Sequence, residues 1–219
     1  MKKKNFRLSI AHYTLTAVLL LLPLSVFAQT RLTAEQQKQI LERIDKAASE
    51  MQTMQCSFTQ TKTMELLSTD MKSNGKMYFQ RPTKLRWQYL APYDYTFILN
   101  EDKVQLKSTK STKNIDVKGN KMFRQITDII LNCITGAGLK NTSDFTLELY
   151  KNGETYFAKM YPKKKELKQI YQVIEVTFNP ALTMVSTVKM QEKSGDATTV
   201  MLTDVKTNGP IDIHLFDIK

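Results

Sequence analysis

Cysteine, histidine, glycine and proline are all scarce in this chain of 219 residues. Two cysteines cannot staple a disulfide-dense scaffold. Two histidines, only His214 lying beyond the first 28 residues, leave no clustered ligand set for a zinc centre. Seven glycines and six prolines exclude collagen-like and low-complexity classes. Lysine dominates the formal charge of +11 and no exposed Arg–aromatic motif accompanies it, which argues against a nucleic-acid reader. Also missing are a Gly-x-Ser-x-Gly elbow, a phosphate-cradling glycine loop and a His-Glu-x-x-His pair. The carboxylates are scattered, and His214 lacks evident partners for general-base work. The chain reads as a non-enzyme that needs no cofactor and no metal.

What is present begins with an export signal. Lys2, Lys3, Lys4 and Arg7 form a basic start, Ala17 to Leu22 an apolar heart, and Val26-Phe27-Ala28 places small residues at a cleavage site. Cleavage after Ala28 is expected. No cysteine stands directly after the cut, so the product, residues 29–219 read as one domain, is expected to be exported and soluble rather than itself lipidated. Its removal takes four basic residues and no acidic ones, which lowers the net charge from +11 to +7. Two lysine groups, Lys107 to Lys118 and Lys159 to Lys168, read as solvated turns; a docking surface for an acidic partner is the other reading. An oxidising compartment permits a bridge between Cys56 and Cys133, but both sit in apolar patterns where free buried thiols are common.

Beyond the signal the order is helix, strands, helix, strands. Thr33-Ala34-Glu35-Gln36 reads as a capping box. Ile40, Leu41, Ile44, Ala47, Ala48, Met51 and Met54 follow at helical spacing. From Ser57 the period becomes two. Met77 and Phe79 share a face, as do Leu85, Trp87 and Tyr89, with Lys84, Arg86 and Gln88 opposite; Phe97, Leu99, Val104 and Leu106 continue the alternation. A second helix is predicted from Asn120 to Thr135, with Met122, Phe123, Ile126, Ile129, Ile130, Cys133 and Ile134 on one face and Gly136 as its stop. Strands resume at Phe145–Leu149, then through Ile170, Ile174, Val176 and Phe178, through Leu182, Met184, Val188 and Met190, and at Val200 and Leu202. A long antiparallel sheet with two helices must curl, and the helices must cover its apolar face.

One stretch is more specific than this pattern. Phe58-Thr59-Gln60 is followed by Gly75-Lys76-Met77-Tyr78-Phe79-Gln80-Arg81-Pro82-Thr83-Lys84-Leu85-Arg86-Trp87-Gln88-Tyr89, with Pro92 just beyond. This resembles the outer-membrane lipoprotein carrier protein family, which carries a Phe-x-Gln strand, a glycine, an Arg-Pro turn and an Arg-Trp-x-Tyr strand. The resemblance implies an incomplete antiparallel β-barrel whose hydrophobic cavity is closed by a helical lid. It implies carriage of acylated lipoproteins, or a related lipid, from an inner-membrane lipoprotein-releasing transporter to an outer-membrane acceptor. A monomer is expected. In the family the arginine before the proline bonds main-chain carbonyls of the lid, and by motif position that arginine is Arg81.

The apolar faces then become candidate acyl-chain lining. They are Met51 from the first helix; Phe58, Met77, Phe79, Leu85, Trp87, Tyr89 and Phe97 from the first strands; Phe123, Ile126 and Ile130 from the second helix; and Ile174, Val176, Phe178, Met184, Val188 and Met190 from the last strands. Methionine suits such a lining, being unbranched, polarizable and adaptable. The same residues could equally fill a core, since periodicity does not separate the two. The chain departs from the family at Asn100-Glu101-Asp102-Lys103, a turn without glycine, and at Val104-Gln105-Leu106-Lys107, which lacks aromatics. A specialised paralogue would keep the same cavity. Two rival readings are a periplasmic regulator of the same fold that senses acyl chains and signals through a protein partner, and an envelope enzyme using Asp94 or His214.

Overall fold

The computed structural model describes residues 29–66, 69–90, 93–119, 121–140 and 143–218, and for 121–126 the backbone alone. The export signal therefore lies outside the described residues. A two-residue strand, β1 (Thr30–Arg31), precedes helix α1 (Ala34–Glu50). The capping box forms: the Gln36 N–H donates to Thr33 Oγ1 at 3.3 Å, and the Thr33 N–H donates to Gln36 Oε1 at 3.0 Å. Ile40, Ile44 and Ala48, each four residues apart, are the buried stripe of α1. The helix stops at Glu50 because Met51 turns extended, so Met54, expected on the helix face, instead lies in the next strand and is fully buried there.

The first run of strands is β2 (Thr53–Thr63), β3 (Met71–Gln80), β4 (Lys84–Tyr89), β5 (Tyr95–Asn100), β6 (Lys103–Ser108) and β7 (Thr112–Asp116). Helix α2 (Lys121–Thr135) follows and ends at Gly136, whose φ of 75° is a left-handed stop. The second run is β8 (Phe145–Asn152), β9 (Thr155–Pro162), the short helix α3 (Lys165–Ile170), β10 (Tyr171–Phe178), β11 (Val185–Glu192) and β12 (Ala197–Thr207). A 3₁₀ turn at Ile213–Phe216 lies near the end of the chain.

All twelve strands form one antiparallel sheet in the order β1-β8-β9-β10-β11-β12-β2-β3-β4-β5-β6-β7. The ends, β1 and β7, do not pair with each other, so the sheet is open and the barrel incomplete. The long β2–β12 ladder joins the two runs in the middle, and α2 is the crossover between their outer strands. The inner face carries two apolar clusters. One gathers Ile40 and Ile44 of α1, Cys133 of α2 and the faces of β8–β11. The other gathers Met51, Ile134 of α2 and the faces of β2–β6 and β12.

Several elements differ from the sequence pattern. Strand β9 was not foreseen, although Asn152-Gly153 between apolar runs is a hairpin signal; Gly153 takes φ 57° at that turn. Ile170, expected at a strand start, ends α3 and is exposed. Leu182, expected in a strand, sits in a turn at φ 60° with its side chain buried. Lys159 is not in a turn but in β9, its ammonium 5.0 Å from the Tyr150 ring centroid.

Candidate functional site

Arg81 closes β3 and reaches back to α1. Its Nε donates to the Met51 carbonyl at 2.7 Å, its Nη2 donates to the Ala48 carbonyl, and its backbone N–H donates to Gln52 O at 2.9 Å. The last carbonyls of a helix have no partners within it, and a cation there also meets the negative end of the helix dipole. One guanidinium thus ties the end of α1 to the β3–β4 turn, where the Arg81–Pro82 peptide is cis.

The candidate lining residues fall into both clusters. Phe58, Met77, Phe79 and Leu85 are buried with Met51, and Trp87, Tyr89, Phe97, Ile130 and Met184 pack partly buried against them. Ile174, Val176, Phe178 and Val188 are buried in the other cluster, with Met190 packed against it. Phe123 and Ile126 lie outside the described side chains. Both clusters lie on the inner face of the sheet and include residues of the helices.

The aromatic members form a ladder. Phe58 and Trp87 have ring centroids 4.3 Å apart, Phe58 and Tyr89 meet edge-on at 5.3 Å, and Tyr89 lies 6.3 Å from Tyr95. The Tyr89 hydroxyl donates to Gln60 Oε1 at 2.8 Å. Burial pushes the Tyr89 pKa up, while the neighbouring Trp87 N–H and Gln60 pull it down. Tyr89 and Tyr95 also wall an open recess of about 260 Å³ with Gln60, Lys62, Met71, Lys72, Ser73 and Tyr93. Sequence reasoning missed this recess, although alternation continued beyond Phe58 to Gln60 and Lys62 would have pointed to it.

A family model of the outer membrane lipoprotein carrier protein LolA matches residues 49–219. The chain belongs to that family. An outer-membrane lipoprotein carrier protein of Chromohalobacter salexigens is 22% identical over 145 residues, 66% of each chain. One of Methylococcus capsulatus is 24% identical over 165 residues, covering 75% of this chain and 76% of the relative. Among solved structures, an uncharacterized conserved protein of Thermus thermophilus superposes with TM-score 0.51 at 11% identity, over 84% of this chain and 94% of that one. A structure of MucB superposes with TM-score 0.50 at 9% identity, over 85% and 64%. These likenesses show the fold of the family.

In this family member the remaining candidates are placed apart from Arg81. Cys56 and Cys133 are free and buried, one in each cluster, and burial pushes both thiols up to about 12. Asp94 takes φ 38° in the turn before β5. His214 is on the 3₁₀ turn, its Nδ1 3.0 Å from Asp217 Oδ2, and that carboxylate raises its pKa. The 3₁₀ turn covers the outer face of β4 and β5: Arg86 Nη1 donates to Leu215 O at 3.2 Å, Asn100 Nδ2 donates to Phe216 O at 3.1 Å, and Phe216 is fully buried. No helix among the described residues is long and apolar enough to cross a membrane.

Proposed function

We propose that this protein is a periplasmic carrier that shields the acyl chains of lipoproteins, or of a related lipid, and delivers them toward the outer membrane. It binds by hydrophobic capture and performs no covalent chemistry. Its partners are the acylated cargo, an inner-membrane lipoprotein-releasing transporter and an outer-membrane acceptor. Arg81 is the latch, and the candidate lining residues are the surface the acyl chains meet when the helices lift.

The observation that carries this reading is the way α1 is held. Its apolar stripe covers the sheet, and two side-chain hydrogen bonds from the single residue Arg81 fasten its end. Asn208 Nδ2 adds one bond, to the Glu50 carbonyl at 3.2 Å, and Lys140 pairs with Asp45 at 2.9 Å, so a few polar contacts hold the helix and can be released without unfolding the sheet beneath it. The energetic need is large. Each methylene moved out of water is worth about 0.8 kcal/mol, so a chain of about sixteen carbons represents roughly 12 kcal/mol. Methionines at Met51, Met54, Met77, Met184 and Met190 give the interior the adaptability to exchange packing with itself for packing on a chain.

Native mass spectrometry with lipid extraction on protein purified from its own cells tests the reading. Co-purifying lipoprotein or diacyl lipid that a hydrophobic dye displaces is the expected result. A clean ligand-free mass, no dye binding at micromolar concentration and tight binding of a membrane-anchored regulator would overturn it in favour of an acyl-chain-sensing regulator.

A further inference from the structure

The inner face of β2–β5 changes character at one point. Register places Met77, Trp87 and Phe97 side by side on β3, β4 and β5, an apolar row. Two residues further along each strand the same face presents Gly75, Tyr89 and Tyr95, and beyond these lie Ser73, Met71, Gln60 and Lys62. This second stretch is the open recess of about 260 Å³, with Met71 and Tyr93 standing 45% and 48% exposed beside it. An apolar interior therefore passes directly into an amphipathic mouth.

Trp87 sits at the boundary. Its ring packs on Phe58, but its Nε1 is buried and meets no acceptor in hydrogen-bonding geometry among the described residues. The Tyr89 hydroxyl beside it, which donates to Gln60 Oε1, stands close enough to feel the N–H dipole but does not meet Nε1 in hydrogen-bonding geometry. A buried donor left unpaired is costly, and a phenyl ring would fill the same wall without that cost. The indole N–H can only donate, so what it lacks is an acceptor. In an acyl amphiphile, the acceptor at the boundary between hydrocarbon and polar head is the ester or amide carbonyl.

We propose that Trp87 Nε1–H is the head-group hook of the carrier, donating to the carbonyl oxygen at which an acyl chain joins its polar head. The hydrocarbon runs inward over Met77 and Phe97, the head occupies the tyrosine-walled recess, and the Tyr89–Gln60 bond yields to let the carbonyl through. This rests on the carrier reading above and adds to it the chemical group that is recognised and where it sits.

The sequence has a single tryptophan, so the indole proton gives one resonance in the wild-type protein. Two probes are compared, methyl palmitate and hexadecyl methyl ether, each added to the purified protein loaded with a hydrophobic dye. The expected result is that both displace the dye, that only the ester moves the indole proton downfield, and that Trp87→Phe weakens ester binding about three- to tenfold while leaving the ether unchanged. Displacement by both probes with an unmoved indole resonance and an unaltered ester-to-ether ratio would overturn the hook and leave the carrier standing. Displacement by neither would overturn both. If Trp87→Phe does not fold, the wild-type resonance decides alone.

Discussion

The Phe58 ring lies directly over Gly75 of the neighbouring strand: a β-carbon at Gly75 would stand 2.4 Å from Phe58 Cζ and 2.1 Å from the Gln88 carbonyl oxygen. Gly75 is thus the position that lets Phe58 lie flat enough to reach Trp87 and Tyr89. Gly75→Ala collides with backbone as well as with a ring, and cannot be absorbed by a side-chain shift. We expect a loss of about 1–3 kcal/mol in chemical denaturation, with altered near-ultraviolet dichroism from Trp87. Wild-type stability in this variant would show that the ring does not depend on the glycine.

Arg81→Leu removes the donors to the Ala48 and Met51 carbonyls and leaves the end of α1 uncapped on that side. Hydrogen bonds from a charged donor are worth about 1.5–3 kcal/mol each, so the helix should lift more readily while the sheet persists. We expect near-wild-type far-ultraviolet dichroism, faster uptake of a fluorescent acyl probe, and impaired release to an acceptor. Unchanged loading and unloading would remove the latch from Arg81. Arg81→Lys should fall between the two, because an ammonium lacks the fork that serves two carbonyls.

Much of the sheet was legible because half-buried strands alternate: Phe79, Leu85 and Leu99 face inward as their period requires, and the capping box at Thr33 and Gln36 marked the start of α1. The glycine at 136 likewise marked the end of α2. The failures share a cause. Met54 continues the helical spacing of α1 by coincidence of two periods, and only the chain reversal after Glu50 assigns it to β2. Strand β9 carries Tyr156, Lys159 and Tyr161 among its apolar residues, so its composition hid it. The division of the lining into two clusters depends on how far the sheet curls, which no local pattern encodes. Arg81 was legible only through its motif, since its partners are backbone carbonyls about thirty residues away.

The outer face of β4 and β5 is covered by the chain terminus. Phe216 has no exposed surface, and the carbonyls around it accept from Arg86 and Asn100. Phe216→Ala removes a fully buried ring and should cost about 3 kcal/mol in chemical denaturation. A loss below about 0.5 kcal/mol would mean that the terminal turn contributes no packing to the sheet.

The two thiols are separate probes of movement of α1. Cys133 on α2 packs in the cluster that holds Ile40 and Ile44 of α1, whereas Cys56 is in β2 at the centre of the sheet. Burial pushes both up to about 12, so each stays protonated in the fold while an unfolded thiol ionises near pH 8.5. The folded state then binds more protons above that pH, and stability should fall as pH rises from about 8.5 toward 12. Because the thiolate is the nucleophile, maleimide labelling at pH 7 should be slow at both sites in the wild type. Cys133 shares its cluster with Ile40 and Ile44, and Cys56 shares its cluster with Met51, so lifting α1 uncovers both. Arg81→Leu should therefore accelerate labelling of Cys133, measured in Cys56→Ser, and of Cys56, measured in Cys133→Ser, with the far-ultraviolet dichroism unchanged. Wild-type rates at both positions would mean that loss of the Arg81 bonds does not move the helix.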